Sequence, residues 1–144
     1  MFYSKVSSHT YLIRLVKGEE VNNSIKKFCI DRKIDNGSLT ALGSVENPTL
    51  AHYRVDTKKY TEKKLKGIFE ITNLTGTVGL VQNEPLVHTH VTLSDEDMNA
   101  LGGHLVEAIV SATVELLVTQ FDTYHEKKFD EEIGLKLFEL ADSI

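Results

Sequence analysis

The stretch His104-Leu105-Val106-Glu107-Ala108-Ile109-Val110-Ser111-Ala112-Thr113-Val114-Glu115-Leu116-Leu117-Val118-Thr119-Gln120-Phe121 decides the fold class. Its apolar residues are dense enough for a buried helix. Against that, Val106, Ile109, Val110, Thr113, Val114, Val118 and Thr119 are β-branched, stiff at χ1 and suited to a pleated surface. We read it as two extended segments with a break near Ser111. Two glycines, Gly102 and Gly103, stand just ahead of His104, and glycine inside a strand pattern marks a bend or a close backbone approach.

Upstream of these glycines lies Glu84-Pro85-Leu86-Val87-His88-Thr89-His90-Val91-Thr92-Leu93. Side chains alternate along a strand, so His88 and His90 project from one face with Leu86 and Thr92. Val87, Thr89, Val91 and Leu93 take the other, more apolar face. Two imidazoles spaced by about 6.5–7 Å at Cα can lean onto one ion. His104 on a neighbouring strand would complete a three-nitrogen site with an open position, as catalytic zinc centres have. The pair alone is a weak signal, because the chain has six histidines and such pairs arise by chance or on solvated faces.

Thr10 to Val16 reads as a strand ending at Lys17-Gly18. The period then changes: Val21, Ile25, Phe28 and Cys29 recur at helical spacing, with Glu19 and Glu20 in the first turn and Arg32 and Lys33 in the last. One amphipathic helix from about Glu19 to Lys33 follows. Beyond Gly37 come short strands: Ser38 to Val45, Thr49 to Val55 after Asn47-Pro48, Leu65 to Leu74, and Thr77 to Val81 beyond Gly76. Ser94-Asp95-Glu96-Asp97 is a turn or a helix start with Ser94 a candidate cap. Leu135 to Leu140 is a last strand. Many strands with one early helix imply a single α+β domain over residues 1–144 with its core at about 10–140, built on a largely antiparallel sheet.

A length of 144 residues fits one domain with its own core. No apolar run could cross a bilayer, and the start of the chain lacks the plan of a signal peptide. The lone Cys29 falls on the helix's apolar stripe, which suits a buried structural thiol. A cytoplasmic location is the default expectation. A net charge of −5 argues against direct nucleic-acid binding. The lysines of Thr57 to Lys66 could contact phosphate, but a solvated turn or a lysine-protected sheet edge is the favoured reading.

Taken together, the blocks YLIRLVKGEEV (11–21), ALGSVENPTLAHY (41–53), GIFEITNLTGTVGL (67–80), EPLVHTHVTLSD (84–95), GGHLVEAIVSATVELLV (102–118) and GLKLFEL (134–140) resemble the PPC domain of plants and prokaryotes. The resemblance runs from about Tyr11 to Leu140. It implies an antiparallel sheet with a helix packed on it, a homotrimer, and a zinc site at His88, His90 and His104. The implied fold is also similar to that of acetolactate decarboxylase, whose metal three histidines hold. Plant members bind DNA through a separate basic Arg-Gly-Arg-type segment, and this chain contains none. Where plant domains carry GRFEI in contacting partners, this chain has Gly67-Ile68-Phe69-Glu70-Ile71.

Three functions follow as expectations. The first is an oligomeric binding or regulatory module whose histidines hold zinc for structure or for capture of a small-molecule ligand. The second is a metal-dependent lyase or hydrolase acting on a small acid, with Glu70 and Glu107 as candidate acid–base groups. Either glutamate could equally sit on a solvated strand face. The third, direct DNA binding through the lysine-rich loop, ranks last on charge. His52 could line the same cavity or be a satisfied structural histidine, while His9 and His125 read as surface residues.

Overall fold

Ala100 to Gln120 forms one continuous strand in the computed structural model, which describes residues 1–141. In chain order the elements are β1 (Phe2–Lys5), β2 (Thr10–Val16), α1 (Val21–Arg32), β3 (Gly37–Arg54) and β4 (Lys59–Lys64). There follow β5 (Ile68–Val81), β6 (Glu84–Ser94), β7 (Ala100–Gln120), β8 (Lys127–Asp130) and β9 (Leu135–Phe138). The main sheet runs β1-β2-β7-β6-β5-β3-β4, and β3 pairs with β7 as well. That extra pairing closes β7, β6, β5 and β3 into a ring, with β1–β2 and β4 attached outside it. The α+β class with a largely antiparallel sheet and one helix is therefore what the chain adopts.

The expected break near Ser111 is instead a register shift inside β7. Val45 pairs with Val110 and Gly43 with Val114, so β7 carries the extra residues of a bulge. The Ser44 and Ser111 hydroxyls meet there at 2.5 Å. The alternation of buried residues fails locally, but the ladder to β3 does not. The same correction applies elsewhere. Asn47-Pro48 bends β3 without ending it, and β5 runs through Gly76, which pairs with Thr89. Leu65 lies outside β5 and is tied instead to the Pro48 carbonyl.

The helix is tighter than its charge pattern suggested. Glu20 is the N-cap, its carboxylate accepting from the Asn22 and Asn23 amides, and Lys33 closes the C-terminus at φ 56°. Glu19 stands before the helix and accepts from the Val16 amide and the Met1 ammonium, both at 2.8 Å. Ser94 caps no helix. It ends β6, and Asp95 organises the turn by accepting from the Asp97 and Asn99 amides. The last strand pairs with β8 in a separate two-stranded hairpin rather than joining the sheet.

The helix buries Val21, Ile25, Phe28 and Cys29 in a core shared with Thr89, Val91 and Leu93 of β6 and with Leu105 and Val110 of β7. Burial pushes the Cys29 thiol up to about 12, as befits an inert structural residue. Asn22 fixes the docking: its Nδ2 donates to the Leu105 carbonyl at 2.9 Å, and its Oδ1 accepts from the Thr89 hydroxyl at 2.8 Å. The lysine-rich segment forms β4, an exposed edge strand. No helix among the described residues is long and apolar enough to cross a membrane.

Candidate metal centre

β6 and β7 are antiparallel neighbours, and His90 lies directly opposite His104. Cross-strand pairs place Cβ atoms about 4.5–5.5 Å apart. His88, two residues before His90, shares its face. The three rings gather with centroids 5.1 Å (His88–His104), 5.2 Å (His88–His90) and 5.5 Å (His90–His104) apart. One nitrogen from each lies within 4.8 Å of the others. A pleated strand produces this from the H-x-H spacing, and the register of β7 supplies the third ring. Gly103 permits the approach on the far side, since a Cβ there would meet the Ala51 carbonyl at 2.9 Å.

The donor set suits a divalent ion of borderline softness. Burial, then the Lys127 ammonium and the two other imidazoles, lower the His88 pKa to about 4. Burial, and then His90, also lower that of His104, against a smaller opposing effect of Glu62. Both rings are consequently neutral near pH 7, as ligation requires. The buried Nδ1 of His104 has no hydrogen-bond partner. An orphaned buried nitrogen is costly unless something occupies it, and an ion between the rings would do so. Zinc is a metal that a set of three imidazole nitrogens suits.

His88 and His104 of the cluster line a cavity of about 600 Å³, and His90 lies outside its lining. Tyr60 of β4 lies against the His104 ring at a 5.4 Å centroid distance. The β8–β9 hairpin covers the other side with Phe129, Leu137 and Phe138. Tyr53 fastens the hairpin by donating to the Ile133 carbonyl at 2.7 Å, and Lys58 donates to the Glu131 carbonyl at 2.6 Å.

Glu70 and Glu107 are not brought to the histidines. Glu70 pairs with Ser94 at the far end of β6, on an exposed face beside the Asp95–Asp97 turn. Glu107 accepts from the Thr49 hydroxyl at 3.2 Å and faces Lys64 at 3.7 Å. Neither lines the cavity. His52 is exposed, next in sequence to the Ala51 that pairs with His104, and so projects the other way. His9 lies against Asp122, and His125 against the Thr123 hydroxyl. Sequence reasoning missed Lys127, Thr77 and Phe138, which share the cavity with the cluster. Nothing in Glu126-Lys127-Lys128-Phe129 distinguishes a buried lysine from a solvated one.

Fold and site together define a class: a small α+β domain bearing a three-histidine cluster on the outer face of an antiparallel sheet. Residues 3–122 match the Plants and Prokaryotes Conserved (PCC) domain, which is also abbreviated PPC. The chain belongs to that family. A PPC protein of Pyrococcus horikoshii is 34% identical, with TM-score 0.87 over 99% of this chain and 97% of the other. A metal-containing protein of Archaeoglobus fulgidus is 28% identical, with TM-score 0.85 over 97% and 99%. A Bacteroides thetaiotaomicron protein, provisionally described as DNA-binding, is 27% identical, with TM-score 0.92 over 96% of both chains. At the level of fold alone, a Staphylococcus aureus protein similar to α-acetolactate decarboxylase aligns at 15% identity and TM-score 0.56, over 86% of this chain and 55% of that one. No curated protein matches the chain in sequence.

Proposed function

We propose that this protein is a homotrimeric binding or regulatory module whose His88, His90 and His104 hold a zinc ion facing a ligand cavity. The observation that carries the reading is the convergence of three imidazole nitrogens within 4.8 Å beside a cavity that His88 and His104 line, with the buried Nδ1 of His104 left without a hydrogen-bond partner. Bound there, zinc would supply a Lewis-acidic position for a ligand heteroatom. The chain's own residues do the rest: Tyr60 and the β8–β9 hairpin limit access, and the strands fix the ring orientations. The metal-containing description of the Archaeoglobus relative agrees with this reading.

The trimer reading draws on the family and on apolar side chains left exposed along neighbouring strands. Leu12 and Leu117 are a cross-strand pair, 45% and 43% exposed. A covered patch of this kind is what self-association provides. Catalysis by a carboxylate gains no support, because no aspartate or glutamate among the described residues lines the cavity. Direct DNA binding is set aside on the net charge of −5.

Protein purified without an affinity tag should carry close to one zinc per subunit by elemental analysis, lost in His88→Ala/His90→Ala. Light scattering should give three times the 16.2 kDa chain mass. Wild type that takes up no zinc from a buffered solution would end the metal reading, and a monomer would end the trimer reading.

A further inference from the structure

Among the described residues, Lys127 is the one buried charge, and the histidine site does not explain it. Its side chain is 5% exposed and enters the cavity from β8. Gly79 makes room for it: a Cβ there would lie 2.9 Å from the lysine Cε and 2.6 Å from the Phe138 ring. The ammonium lies 3.4 Å from the Thr77 hydroxyl and 4.4 Å from the centroid of the Phe138 ring. Among the described residues no carboxylate comes within ion-pair distance of it. An ammonium has three donors, and a buried cation without a counter-charge is costly.

Its location gives the missing counter-charge a place. Thr77 sits directly opposite His88 on the β5–β6 ladder, so the ammonium and the imidazoles face the same space. The remaining wall is apolar: Leu86, Phe129, Leu137 and Phe138 line it. A cavity of about 600 Å³ admits a small organic molecule. The buried Lys127, the exposed Lys136 also in the lining, and the hydrocarbon around them match an acid with an aliphatic body.

We infer that Lys127 is the anion-recognition residue of this cavity and that the ligand is a small aliphatic carboxylate, its acid group on the ammonium and its hydrocarbon against Phe129, Leu137 and Phe138. This rests on the zinc-site reading for what occupies the neighbouring wall, so zinc content is measured on the same samples.

The test is calorimetric titration of zinc-loaded protein with isovalerate, with its neutral counterpart isovaleramide, and with inorganic phosphate. Isovalerate should bind at least tenfold more tightly than the amide. Lys127→Met, close in volume, should lose about tenfold toward isovalerate with its zinc content and amide binding unchanged. Equal isovalerate affinity in wild type and Lys127→Met, with zinc normally loaded, overturns the inference and leaves the zinc reading standing. Lys127-dependent binding in protein that loads no zinc does the reverse. No preference of wild type for acid over amide also overturns it. Phosphate binding as tight as isovalerate and equally dependent on Lys127 would overturn the ligand class. Should Lys127→Met fail to fold, Lys127→Arg takes its place: retained preference for acid over amide supports the inference, and loss of that preference in a folded, zinc-loaded protein contradicts it.

Discussion

The two faces of β6 make a contrast within one strand. Thr89, Val91 and Leu93 point inward and are 1%, 4% and 0% exposed, packed in the core that α1 completes. His88 and His90 point outward: His88 is half-buried beside the β8–β9 hairpin, which Tyr53 and Lys58 tie down, and His90 is exposed. The first face holds the fold together and the second carries the candidate metal ligands. A two-residue period keeps the two tasks separate, so each can be altered without the other.

The largest effect should come from the inner face. Leu93→Ala removes a fully buried side chain and should cost about 2–5 kcal/mol in urea unfolding. On the outer face, His90→Ala in metal-free protein should stay within about 0.5 kcal/mol of wild type, because His90 is exposed. Comparable losses at both positions would break the contrast.

Next comes the metal. Zinc at about 100 times its dissociation constant should stabilise wild type by about 2.7 kcal/mol, if it binds the folded state alone. The gain should vanish in His88→Ala/His90→Ala and persist, on a lower baseline, in Leu93→Ala. Thermal scans with and without chelator read both. A smaller effect is expected from Thr89→Val, which removes the hydroxyl that donates to Asn22. The loss should be about 1 kcal/mol, with zinc uptake unaltered.

The remaining effects are in pH dependence, and they separate the faces by sign. In metal-free protein the unfolded chain protonates His88 near its ordinary 6.5, whereas the folded chain resists to about 4. The unfolded state thus binds more protons in between, and stability falls as pH drops from about 6.5 to about 4. Cys29 acts at the other end. Its thiol is held at about 12 in the fold against an ordinary 9.0, so stability falls as pH rises from about 9 toward 12. His88→Leu should flatten the acid limb and Cys29→Ala the alkaline limb of unfolding midpoints, each leaving the other limb in place.

This contrast also explains what was legible in the sequence. Where a strand has one dry and one wet face, as β6 does, alternation reveals it, and it puts His88 and His90 on one face. The helix was legible from Val21, Ile25, Phe28 and Cys29 for the same reason. β7 was misread as broken because its bulge suspends the alternation at Ser111 while its ladder to β3 continues. Asn47-Pro48 and Gly76 carry turn signals that long-range pairing overrides. β1, with all residues exposed, and β8 have too few inward residues to show a period. Lys127 was invisible because its burial depends on a distant glycine, Gly79, and on a hairpin packed over β5.

If His88, His90 and His104 together bind one metal ion, as proposed, the ion should be visible between them. Anomalous scattering from crystals of tag-free protein, recorded on either side of the zinc absorption edge, tests that binding most directly. One zinc-specific peak per subunit is expected, placed between the three imidazoles with each ring turning a nitrogen toward it. Zinc-supplied crystals with no peak there, or with the zinc held by other residues, would contradict it.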